Sequence, residues 1–433
     1  MRISGPLRLG ALLAISTPSV ALAQVPVTTS PVAGDTAWIL TATALVLFMT
    51  LPGLALFYAG LVRSKNVLSV MAHCVMIACL ASIIWLLCGY SHSFSGSGAL
   101  IGNLDKAALV SVTRATLAGR IPENVFFAFQ MAFAIITPAL IVGAFVERIK
   151  FSAVILFSCL WLVVVYAPVC HWVWGGGWLM QLQVMDYAGG LVVHATAGVS
   201  ALVIAWRLGP RDGFPHHISP PHNPGMTVMG AGMLWVGWYG FNAGSALAAN
   251  GDAGAALLST HMSAAAAGLA WAFIEWRRFG RASMIGLVTG VVAGLATVTP
   301  ASGYIGPCGG VVIGALGSVV CFHAVEFVRH RLKIDDSLDV FGVHGVGGIL
   351  GTLILPVLAL PGLGGSGFAP GVDAVHQFGI QALGVAAVCL WSGFGTLVIV
   401  AGVRRVVGLR VSDDEIKEGL DLGSHGEQAY RLT

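Results

Sequence analysis

Residues 189–198 read GGLVVHATAG, and residues 341–351 read FGVHGVGGILG. Each stretch sets one histidine, His194 or His344, in an apolar run and within a shared V-H-[AG]-x-[AG]-G pattern. Burying a polar group costs free energy unless it is hydrogen-bonded, so a matched pair asks what solvent surrounds it. The composition answers. Of 433 residues, 57% are hydrophobic and 9% charged, with a mean hydropathy of +0.86. Ordinary globular chains carry about 25% charged residues. This chain lacks the polar surface to clothe a soluble core of that size, and its place is in a membrane.

Taking about 20 apolar residues per span, eleven spans follow: 36–60, 67–92, 122–146, 151–171, 187–206, 226–249, 255–276, 283–300, 308–328, 340–360 and 376–403. Glycine numbers 57, nearly twice the roughly 7% expected. Small residues inside apolar runs let membrane helices approach closely. Gly286, Gly290 and Gly294 form the clearest such ridge. The basic residues fix an orientation. With the N-terminus outside, seventeen Lys and Arg fall in cytoplasmic loops and tail, and only Lys106, Arg114 and Arg120 fall outside. That bias matches the positive-inside rule and predicts an N-terminus out and a C-terminus in.

Residues 1–23 read as a secretory signal peptide. Arg2 and Arg8 precede a short apolar stretch that ends in the small-residue pattern Ala21-Leu22-Ala23. An uncleaved extra span is the competing reading, and Pro18 within so short a stretch argues against it. The eleven-span domain then covers 24–403, and 404–433 forms a charged cytoplasmic tail. The eight cysteines are scattered singly with no C-x-x-C pair; they read as small buried hydrophobes, with neither a metal site nor a disulfide framework.

His194 falls in span five and His344 in span ten. Two five-span blocks must be inverted relative to each other, a common transporter plan with its working site near the midplane. In that plan the two histidines can meet. The other histidines read as blander. His216, His217 and His222 sit in a proline-rich loop, while His73, His261 and His323 lie within spans, where helix–helix hydrogen bonds account for them. A neutral imidazole carries one donor and one acceptor nitrogen, and burial favours that form. A buried pair suits a small neutral hydrogen-bonding solute or a proton relay. It also fits a merely structural contact. It suits a bare metal cation poorly, because several oxygen ligands must replace the hydration shell.

Asp186 precedes His194 by eight residues, about 12 Å along a helix, too far for contact. A helix cap is its simplest role, and a direct part in binding is the alternative. Glu147-Arg148 and Asp335-Asp336…Asp339 read as end caps or ion pairs. Phe129 and Phe133 share a helix face at i,i+4. WVWGGG at 172–177 and WYGFNAGS at 238–245 bring Trp174, Trp238, Phe241 and Ser245 toward one end. Aromatic residues are ordinary at membrane interfaces; converging on one entrance, they make a cup that attracts ammonium-type cations over ring faces.

The runs FQMAFAIITPALIVGAFVERIKFSA, VWGGG, DYAGGLVVH, GWYGFNAGS, TPASGYIG and DVFGVHGVGG resemble the ammonium transporter family (Amt/Mep/Rh), and its Amt branch most closely. The match runs in order over roughly 34–433, tail included. The resemblance implies an all-α polytopic fold of eleven transmembrane helices, two inverted five-helix repeats plus an eleventh helix, assembled as a homotrimer in the bacterial inner membrane. By motif, His194 and His344 resemble the family's twin pore histidines, and Phe133 and Phe241 its stacked phenylalanine gate. Phe129, Trp174 and Ser245 resemble its outer ammonium-recruitment site, Trp238 its pore wall, and Asp186 its essential acidic residue. The implied partners are ammonium or ammonia, methylammonium as an analogue, the lipid bilayer, and a PII-type signalling protein at the cytoplasmic face. No cofactor, metal or nucleic acid is expected.

Ammonium can shed a proton and potassium cannot, so a dry, ring-gated pore can separate two cations of similar size. Two alternatives use the same residues: an ammonium sensor signalling through the tail, and a Rh-like channel for neutral gases. An intramembrane enzyme is disfavoured, because no nucleophile–base set or H-E-x-x-H spacing is present.

Overall fold

A computed structural model describes residues 30–430; the expected signal peptide, 1–23, lies outside the described residues. Helices occupy every apolar segment. They are α1 (Ala33–Leu61), α2 (Ser64–Phe94), α3 (Glu123–Phe145), α4 (Phe151–Gln181) and α5 (Gly190–Leu208), then α6 (Pro224–Gly244), α7 (Gly251–Phe279) and α8 (Met284–Val298). The last three are α9 (Pro307–Leu332), α10 (Phe341–Leu358) and α11 (Ala374–Val406). Among the described residues, nine of these are long and apolar enough to cross a bilayer. The other two are α6, whose hydropathy six glycines dilute, and α8, which has 15 residues and reaches only about 22 Å.

Local chemistry sets several helix ends. Proline occupies the first turn of α6 and α9, where its missing N–H costs nothing. Asn223, Asn250, Ser283 and Asp373 each accept an amide as the N-cap of α6, α7, α8 and α11. The glycine ridge expected on α8 packs as such: a Cβ at Gly290 would press on Trp271, and one at Gly294 on Ala267. That close approach lets Ser263 Oγ donate to the Gly294 carbonyl at 2.9 Å.

The connections gather into two groups, one at each end of the bundle. At the first, which we call the aromatic end, Trp172 Nε1 donates to the Leu100 carbonyl, Ala249 N to Asp35 Oδ1, and Tyr187 N to the Pro300 carbonyl. At the second, the charged end, Arg63 pairs with Glu147 at 3.1 Å, and Arg211 with Asp335 at 2.9 Å.

The tail folds back on the charged end. Its short helices are Asp413–Glu418, opened by a Ser412/Glu415 capping box, and Leu420–His425. Leu420 N donates to Asn66 Oδ1 and Ser69 N to Asp421 Oδ1, both at 2.8 Å. Glu147 and Arg148 thus pair and brace, as their position suggested. Of the lesser intramembrane histidines, His261 bonds Tyr239 OH at 2.7 Å. His73 departs from expectation: its Nδ1 has no partner, and the ring stacks on Phe151 instead.

The centre is set by two glycines. A Cβ at Gly198 of α5 would collide with the Gly345 backbone of α10, so the two helices cross in backbone contact. The same relation recurs in mirror form, with Gly348 against Ala195 and Gly190. Positions on α5 and α10 correspond at a constant offset of 150 residues, the separation of the two histidines.

Candidate functional site

Both histidines lie in wide π-turns that open their helices, at Gly190–Ala195 and Phe341–Gly345. In the first, His194 N reaches back five residues to the Gly189 carbonyl at 2.9 Å. Such turns are rare and recur at functional sites, because the extra residue re-aims a side chain. Here they aim both imidazoles at the helix crossing. His194 Nδ1 and His344 Nδ1 stand 3.3 Å apart, with rings 20° from parallel and centroids 5.3 Å apart. The expected pair therefore meets.

Each turn is anchored by an aspartate eight residues before its histidine. Gly189, at φ 118°, reverses the chain so that the Asp186 carboxylate faces the start of α5. It accepts four amides, from Gly189, Gly190, Leu191 and Val192, at 2.9, 2.6, 2.8 and 3.1 Å. Asp186 is thus a helix cap of unusual completeness. Its counterpart, read from the sequence as an end cap or ion-pair partner, is not matched to it there. Asp336 stands eight residues before His344 and accepts the Phe341 amide at 2.6 Å. The repeated D-x7-H spacing was the available signal.

Toward the aromatic end, the Phe133 and Phe241 rings stack above His194 with centroids 4.4 Å apart. Phe129 and Trp174 meet Phe133 edge-on at 5.0 and 5.7 Å. Trp174 Nε1 donates to the Asp186 carbonyl at 2.9 Å, so the α5 cap also holds the cup. Ser245 caps α6 from its last turn, donating to the Phe241 carbonyl at 2.9 Å. Trp238 stacks on His194 at 5.4 Å and donates to Thr299 Oγ1 at 2.9 Å; sequence reading did not foresee Thr299. All nine residues singled out thus lie along one line, from Ser245 and Trp174 down to His344.

Between the phenylalanine stack and the histidines lies a narrow apolar chamber lined by Met49, Ile136, Leu140, Leu234, Trp238 and both histidines. It leaves about 10 Å³ for the centre of a water-sized sphere, close to the lower limit for one water. His194 Nε2 is buried without a partner. His344 also borders a cavity of about 470 Å³ at the charged end, lined by Arg211, Glu275, Glu326, Arg329 and Asp339. One imidazole is walled in and the other borders a charged vestibule.

Beside that vestibule, burial alone would raise the Glu147 carboxyl, and the guanidinia of Arg211 and Arg63 outweigh it to hold it below its ordinary value. Arg211 and Arg148 do the same for Asp335. Asp336 runs the other way. Burial, reinforced by the Asp339 charge, pushes its carboxyl up to about 7 against the amides of Phe341 and Val340.

The Ammonium Transporter Family model matches residues 37–430. The chain is 45% identical to an ammonium transporter of Aquifex aeolicus over 403 residues, covering 92% of this chain and 94% of that protein. Among solved structures, one titled Sensor Amt Protein superposes with a TM-score of 0.84 at 31% identity, over 90% of this chain and 98% of the other. Mep2 of Candida albicans gives 0.83 at 34% identity, over 90% and 89%. The family match covers nearly the whole length, and the chain belongs to the ammonium transporter family.

Proposed function

We propose that this transporter moves its substrate as ammonia through the twin-histidine chamber. The carrying observation is the His194–His344 contact under a closed aromatic stack, in a space with room for about one water-sized molecule. Ammonium settles in the cup of Phe129, Trp174 and Ser245, where ring faces favour a cation. It loses its proton near Phe133 and Phe241, since a charge entering so dry a passage pays a desolvation cost that the neutral amine avoids. Ammonia then passes along Trp238 and exchanges hydrogen bonds with the two imidazoles. In the vestibule beyond His344 it regains a proton. Asp186 serves by holding the α5 turn and the Trp174 ring together.

The same reading takes all eleven helices as spans, arranged as two inverted five-helix repeats plus α11. The 150-residue correspondence and the mirrored glycine contacts support the inversion. The aromatic end faces outward and the charged end faces the cytoplasm, supported by the seventeen basic residues assigned to the latter. A cleaved signal at 1–23, a homotrimer, a bacterial inner-membrane location and a PII-type partner on the tail face complete the proposal; they rest on family likeness and sequence pattern. Purified protein in liposomes tests the core of it. Saturable methylammonium uptake that potassium does not inhibit is expected, and potassium currents comparable to ammonium currents would overturn it.

A further inference from the structure

The two halves of the site repeat an aspartate, a π-turn and a histidine, and the repeats are unequal. Asp186 spends both carboxylate oxygens on four amides. Asp336 spends one: Oδ2 takes the Phe341 amide, with the Val340 amide close enough to favour its charge as well, while Oδ1 is buried without a partner. The side chain is only 5% exposed. Its charged neighbours are engaged elsewhere. Asp335 is bound by Arg211 and approached by Arg148 at 3.9 Å, and Asp339 is bound by Arg329 at 3.1 Å. Tyr58, packed from α1, faces Asp336 with a hydroxyl already donated to the Leu140 carbonyl. No cation is left to neutralise this carboxylate, and two acidic neighbours press on it.

We infer that Asp336 is the positioning residue for His344, and that gain or loss of a proton at its free oxygen sets how firmly the α10 turn is held. This rests on the twin-histidine pore reading above. Ionised, the carboxylate makes a charge-assisted bond to the Phe341 amide, roughly twice the strength of a neutral one, and fixes His344 against His194. Protonated, it is a weaker acceptor and the turn loosens. The raised carboxyl places this change within the range of cytoplasmic pH. Burial raises the Asp186 carboxyl too, but four amides hold both of its oxygens, so the α5 turn keeps its anchors. The pore is thereby regulated from the charged end alone, faster when that side is alkaline.

Initial rates of methylammonium entry into liposomes test this, with outside pH fixed and inside pH set to 6 or 8. The ionised share of a carboxyl titrating near 7 rises from about a tenth to about nine-tenths over that interval, so the intact protein should run about threefold faster at 8. Asp336→Asn should show equal rates at both values, and Asp336→Glu should keep a step with a shifted midpoint. An infrared carboxyl band that titrates near neutrality, lost in Asp336→Asn and kept in Asp186→Asn, gives a readout independent of transport. A pH step surviving in Asp336→Asn, or no neutral-range carboxyl band in the intact protein, overturns the inference. Normal transport by His194→Ala and His344→Ala would overturn the pore reading instead, whatever Asp336 does.

Discussion

The aromatic and charged ends hold the same motif under opposite electrostatic conditions. At the aromatic end, one carboxylate satisfies four amides, an indole locks onto its backbone, and rings exclude water. At the charged end, the matching carboxylate binds one amide beside a vestibule crowded with ion pairs. Two copies of one device thus differ in how fully each carboxylate is satisfied: both oxygens in the first, one in the second. The lesson is that repeat symmetry fixes the backbone path, while the neighbours of each copy decide what it does.

The largest expected effect separates the two caps. Asp186→Ala strands four amides; a lost N-cap costs about 0.5–2 kcal/mol, and unsatisfied buried groups about 1–3 kcal/mol each. Thermal unfolding in detergent should report a loss of about 4 kcal/mol or more for Asp186→Ala and about 1–3 kcal/mol for Asp336→Ala. Equal losses would erase the distinction. Next comes the histidine pair. His194→Ala, which empties the walled-in site, should cut methylammonium uptake about a hundredfold, or about 2.7 kcal/mol. His344→Ala opens toward water already present and should cost less, with potassium leak as its mark.

The ring stack follows. Phe241→Ala admits water above His194 and should lower discrimination between ammonium and potassium about tenfold, near 1.4 kcal/mol, read as a ratio of currents. The smallest effect is the pH dependence of stability at the charged end. Glu147 and Asp335 have lowered carboxyls, so their stabilisation is present above the ordinary carboxylate range and is lost as pH falls through it. Asp336, raised to about 7, contributes in the opposite sense: its stabilisation is full below about 4 and fades as pH rises through 7. Unfolding temperature followed against pH should therefore fall on both sides. Asp336→Asn should shrink the alkaline decline, to which the raised carboxyls of Asp339 and Asp186 also contribute, while leaving the acid side unchanged.

Much of this was legible in the residues. Hydropathy located the eleven long helices, most of them within a few positions, because a bilayer leaves the backbone few other choices; α4 runs ten residues beyond its expected end. Nine of the eleven are long and apolar enough to span, and α8 was recognisable from its glycine ridge despite its 15 residues. The V-H-[AG]-x-[AG]-G repeat joined His194 to His344, and spacing gave Phe129 and Phe133 one face. What stayed hidden depended on partners from distant segments. Nothing near Trp238 announces that Thr299 holds its indole. Asp336 looked like any acid in a charged loop, and only its unpartnered oxygen distinguishes it from Asp335 beside it. The π-turns also escaped, since hydrophobic periodicity over five residues cannot separate them from ordinary helix.

The contact between Gly198 and Gly345 carries a mechanical consequence. Backbones already touching, with the mirrored contact at Gly348 beside it, leave no slack for one half of the protein to rock over the other. A carrier that swung its site between two faces would have to part these helices on every cycle. Under the proposed pore mechanism this protein is a fixed sieve, with throughput set by the width of its aperture and the traffic of protons through it.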